Sequence, residues 1–69
     1  MGHILKVARV QAGLTQSELA ERSGISRVTI NMIENDVTKN VKSSTMIAIA
    51  KALGRTVEDI FFADSVKSV

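Results

Sequence analysis

The apolar residues of this chain recur at helical rather than strand spacing, in short blocks closed by glycine or by polar residues. Leu5 and Ala8 stand three apart, so a first helix is expected over about Ile4 to Gln11, ended by Gly13. Thr15 and Glu18 make the Thr-x-x-Glu pattern of a capping box, which starts a second helix with Leu19 and Ala20 inward and Gly24 at its end. Ser26 is a good N-cap for a third helix whose buried side is Ile30 and Ile33 and whose end is marked by Asn35 and Asp36. Between those buried positions, Arg27, Val28, Thr29, Asn31 and Met32 are left for the outside or the flanks.

A polar loop is expected from Asp36 to Val41. Met46, Ile49, Ala50 and Leu53 follow the i, i+3, i+4, i+7 pattern of a fourth helix over about Lys42 to Leu53, stopped by Gly54. Thr56 then caps a fifth, with Val57, Ile60 and Phe61 apolar. After Phe62 the chain turns small and polar, and fraying is expected there. β-Branched residues are scattered without alternation, so strands are not predicted.

Composition narrows the picture. The 69 residues are read as one small domain, 1–69, with no cysteine and a single histidine, His3. Disulfide and metal reinforcement are therefore not expected, and stability must come from helix packing or self-association. No cofactor is expected either. The lack of cysteine and of a signal-like segment fits a reducing cytoplasm, and no apolar run reaches the length of a membrane span. The net charge of +2 permits a nucleic-acid partner without requiring one. Placement says more: Arg27, Lys39 and Lys42 lie in or just after the third helix, a local basic edge able to meet phosphates. An enzyme is disfavoured, since there is no cysteine, no usable histidine and no nucleotide-binding glycine loop.

Two short helices joined by a tight turn over about 15–35 suggest a rod suited to the major groove of DNA. The residues that carry this also carry a family resemblance. Arg9, Gly13-Leu14-Thr15-Gln16, Leu19-Ala20, Gly24-Ile25-Ser26, Ile30 and Ile33-Glu34-Asn35 resemble, in order and spacing, the helix-turn-helix of the phage repressor and Cro type, the XRE family. Ile49-Ala50-Lys51-Ala52-Leu53-Gly54 and Val57-Glu58-Asp59-Ile60-Phe61 extend the likeness, which runs from about Leu5 to Phe62. It implies a compact, five-helix, lambda-repressor-like all-α domain that binds operator DNA, usually as a homodimer. Two positions depart from the pattern: Asp36 stands where many members carry glycine, and Val41 where proline is common.

The resemblance implies base contacts from Ser26, Arg27, Val28, Thr29 and Met32. Arg27 is the strongest of these chemically, because a guanidinium can grip guanine O6 and N7 together. Val28 and Met32 offer no hydrogen bonds; they are open either to packing on thymine methyls or to partial burial. Gln16, at a helix N-terminus, is suited to a phosphate or to bracing the third helix. Asn35, Thr38, Lys39, Asn40 and Lys42 follow the rod and are further candidates for phosphates. Arg9 and Glu34 match a pair that in the family is often a buried or half-buried salt bridge.

A dimer surface is expected over about 57–69, at Ile60, Phe62 and Val66, because Phe62 beside an inward Phe61 must point elsewhere. The expected function is a sequence-specific transcriptional regulator, repressor or activator, with no small-molecule effector. An antitoxin or a restriction-modification controller protein of the same fold is the alternative.

Overall fold

The structure is a computed structural model and describes residues 2–37 and 40–61. Five helices follow one another: α1 (Gly2–Gln11), α2 (Gln16–Ser23), α3 (Arg27–Glu34), α4 (Ser43–Leu53) and α5 (Val57–Phe61), with no strand among the described residues. The domain is all-α. α2 packs on α3 and α4, α1 on α3 and α5, and α4 on α5. Their shared core is Leu5, Ala8, Leu14, Leu19, Ile30, Ile33, Ile49, Ala50, Ile60 and Phe61. Every helix therefore contributes at least one buried side chain, and Leu14 adds another from the turn before α2. Ala20, Ile25, Val41, Met46, Ala52, Leu53 and Val57 close the core's edge.

The helix boundaries have local causes. The capping box before α2 is complete: Glu18 N–H donates to Thr15 Oγ1 at 3.1 Å, and Thr15 N–H donates to Glu18 Oε1 at 2.9 Å. These bonds, the backbone amide of Thr15 foremost, hold the Glu18 carboxyl below its ordinary value of 4.5. A depressed carboxylate stabilises the fold fully above its unfolded-state value, and the stabilisation is lost as pH falls through the folded one. Glu18→Gln is thus expected to lower the melting temperature slightly at pH 7, by an amount that shrinks as the pH falls below the ordinary carboxylate range. A penalty that stays constant down the acid range would mean that the carboxylate charge adds nothing to the cap.

Gly24 ends α2 at φ 74°, with its N–H donating to the carbonyl of Ala20. The space where a Cβ would sit is open at Gly24. Glycine is therefore required here by the left-handed backbone and not by a close helix crossing.

α1 starts two residues earlier than the periodicity suggests. Gly2 is buried against the end of α3, where a Cβ would collide with the carbonyl oxygen of Ile33 and come to 2.5 Å of that of Glu34. Its N–H donates to Asp36 Oδ1 at 3.0 Å. Asp36 itself sits at φ 55°. The N–H of Val37 donates to Met32 O and that of Asp36 to Ile33 O, the Schellman closure of α3 with Asp36 in the left-handed place. Aspartate tolerates that conformation better than most residues. Its carboxylate also meets the positive end of α1, which explains an acidic residue where glycine is common.

Candidate nucleic-acid interface

α3 is eight residues long and divides sharply by face. Ile30, Ile33 and Glu34 are buried, whereas Arg27, Val28, Asn31, Met32 and Asn35 are exposed and form one continuous ridge at helical spacing. Val28 is 64% exposed and Met32 37%, so neither belongs to the core. Thr29 lies half-buried on the flank. Ser26 starts the helix: its Oγ accepts from Thr29 N–H at 3.1 Å and donates to Thr29 Oγ1 at 2.8 Å. The hydroxyl placed among the base contacts is therefore already engaged as a cap, and the free chemistry of the ridge comes from Arg27, Asn31 and the two apolar side chains.

The ridge is held at its base by a buried ion pair. Arg9 Nε lies 2.7 Å from Glu34 Oε2, with the two side chains 11% and 2% exposed. Arg9 Nη2 donates to Glu34 Oε1 at 3.1 Å and Arg9 Nη1 to the carbonyl of Leu14 at 2.7 Å. One guanidinium thus joins α1, the turn before α2 and the end of α3. Gln16 completes the arrangement, donating from Nε2 to Glu34 Oε1 at 3.1 Å. Among the described residues no buried side-chain nitrogen or oxygen lacks a partner, so none of these side chains carries the penalty of an unmatched polar group.

Two helix N-termini flank the ridge. The capping box of α2 takes the amides of Thr15 and Glu18, while those of Gln16 and Ser17 have no partner within the helix. At α4, Lys42 occupies the N-cap position and no side chain caps the helix. A groove of about 350 Å³ runs between α3 and that end of α4, lined by Thr29, Met32, Ile33, Asn40, Val41, Lys42 and Thr45. Asn40 and Lys42 therefore stand across a groove from Met32. Asn35 is exposed, and its Nδ2 donates to the carbonyl of Asn31 at 2.8 Å, which leaves one amide hydrogen and the oxygen to the outside.

Some expectations fall elsewhere. Ile60 was expected on a dimer surface, but it is 0% exposed within the core of its own chain, where α5 meets α1 and α4. It is a core residue. Thr38, Lys39, Phe62 and Val66 lie outside the described residues. Asn31, by contrast, stands on the ridge without having been singled out as a contact. The available signal was its spacing, four after Arg27 and four before Asn35. No cluster of possible metal ligands occurs among the described residues, and no described helix is long and apolar enough to cross a membrane.

A short helix clamped along one edge, following a tight turn and presenting a mixed cationic, amide and apolar ridge, defines a helix-turn-helix protein. The comparisons agree. The helix-turn-helix family model matches residues 5–60, and the chain belongs to this family, of the XRE type. It is 43% identical over 67 residues to an uncharacterised HTH-type transcriptional regulator of Methanothermobacter thermautotrophicus, a match covering 93% of each chain. No solved structure matches the chain.

Proposed function

We propose that this protein is a sequence-specific DNA-binding transcriptional regulator that binds near-palindromic operator DNA as a homodimer, with α3 in the major groove. The observation that carries the reading is the two-sided α3: Ile30 and Ile33 are fully buried, while Arg27, Val28, Asn31 and Met32 are left outside. A major groove about 12 Å wide admits a helix presented in this way. Arg27 grips a guanine, and Val28 and Met32 pack on thymine methyls. Ser26 and Thr29, engaged with one another, fix the leading turn close to the bases.

Asn35 at the end of the ridge, and Gln16, Asn40 and Lys42 beside it, meet the phosphates, with Thr38 and Lys39 added on the sequence reading alone. The unpartnered amides at the start of α2 suit an anion for the same reason as any helix N-terminus. The homodimer rests on the sequence as well, through Phe62 and Val66. It would set two copies of α3 about one DNA turn apart, roughly 34 Å. Occupation of the operator is itself the regulatory act, and no catalytic step or small-molecule effector is invoked.

Selection from random duplexes followed by affinity measurement tests this reading. Wild type should recover a near-palindromic motif. Arg27→Ala should weaken the preferred site by about 1–3 kcal/mol and leave binding to random DNA nearly unchanged. Lys42→Ala should weaken both alike and flatten the salt dependence. Equal losses on both DNAs for Arg27→Ala would make it a phosphate contact, and recovery of no motif would end the sequence-specific reading.

A further inference from the structure

Asn31 lies on the exposed ridge of α3, and a polar chain runs to it from the buried ion pair. Glu34, held by Arg9, accepts from Gln16 Nε2 at 3.1 Å. Gln16 Oε1 in turn accepts from Asn31 Nδ2 at 3.3 Å. The direction of these bonds is not arbitrary. A carboxylate only accepts, so Gln16 must turn its NH2 group toward Glu34. Its carbonyl oxygen is thereby left toward α3, and the group that can meet a carbonyl oxygen is the NH2 of Asn31. That bond uses one of the two amide hydrogens. The other hydrogen and the carbonyl oxygen of Asn31 remain unused, on a side chain fixed at one edge.

We propose that Asn31 is a specificity-determining residue that reads adenine, donating its free N–H to N7 and accepting from N6, and that Gln16 is the positioning residue that holds its amide the right way round. The inference rests on the DNA-binding reading above. It also gives Gln16 a second duty beside the phosphate contact. A free asparagine on a helix surface can present its amide either way and must lose that freedom on binding. Here the choice is made in advance by a charge pair on the far side of the helix. The donor–acceptor pair left over matches the major-groove edge of adenine, which offers one acceptor and one donor. Guanine offers two acceptors there, and the Asn31 oxygen would face one of them.

The test uses the full chain and the duplex that wild type selects from a random library. Each adenine of the half-site is replaced in turn by 7-deazaadenine, which lacks N7 but keeps its Watson–Crick edge. One substitution is expected to weaken wild type about tenfold, the scale of a lost base contact. Asn31→Ala should bind the unmodified site about tenfold more weakly, bind random DNA as wild type does, and no longer sense that substitution. Because Asn31 is exposed, its melting temperature should match wild type. Gln16→Ala should respond to the same substitution by a smaller factor than wild type, a response that a purely structural role would leave unaltered.

If Asn31→Ala keeps the full 7-deazaadenine penalty, or loses affinity on random DNA equally, the adenine assignment is overturned. A wild-type response unchanged by Gln16→Ala would overturn the positioning role. If wild type selects no motif, the DNA-reading proposal itself fails, and this one with it.

Discussion

Glu34→Ala should lower the stability of the domain by about 3–5 kcal/mol, the cost typical of removing one partner of a buried pair. The reason is what the mutation leaves behind. Arg9 would keep its charge at 11% exposure with only the Leu14 carbonyl to receive it, and Gln16 would lose its acceptor. A domain of this size has roughly 3–10 kcal/mol of total stability, so the loss is comparable to the whole. Each kcal/mol moves the midpoint of a small domain by about 4–8 °C, so thermal unfolding is expected to shift down by more than about 12 °C. A midpoint within a few degrees of wild type would show the pair to be energetically idle.

Replacing both partners together, as Arg9→Met with Glu34→Leu, should cost less than the sum of the single changes, because no charge is then stranded. Among molecules that remain folded, sequence preference should change only at the position faced by Asn31. The ion pair joins α1 to the end of α3 and is buried, set apart from the exposed ridge.

Helix ends were the most legible part of this fold because they are set by local chemistry. Thr15 with Glu18, Ser26, Gly24 and Thr56 each act within a few residues of themselves, and each lies where its residue type suggests. The inward positions Leu5, Ala8, Leu19, Ile30 and Ile33 were equally legible from spacing. Contacts that span the chain were not. Asp36 meets Gly2 across 34 residues, and nothing local to either position announces it. Asn31 reads as an ordinary polar surface residue until Gln16 is placed beside it by the turn.

The error at Ile60 has a different cause. In Val57, Ile60, Phe61 and Phe62 the apolar residues outnumber one helix face, so periodicity alone does not say which faces inward. Burial of both Ile60 and Phe61 in the core settles the direction for those two. The Arg9–Glu34 contact is a third kind of case. It entered by resemblance to a family, since two charged residues 25 apart have no spacing rule that would bring them together.

Ile30→Ala is the second change expected to cost heavily, about 2–5 kcal/mol for a large aliphatic side chain deleted from a packed core. Ile30 is fully buried and belongs to the cluster that also contains Leu19 of α2 and Ile49 of α4. The cavity would open directly behind the ridge formed by Arg27, Val28, Asn31 and Met32. DNA binding should fall at temperatures where the variant is partly unfolded and recover on cooling, with the selected motif unchanged. Arg27→Ala should do the reverse, keeping the melting temperature and losing preference for the site at every temperature. The pair of variants separates holding the helix from reading with it. If Ile30→Ala altered the motif while melting like wild type, the buried edge of α3 would be part of the reading surface, and the division between its two faces would have to be redrawn.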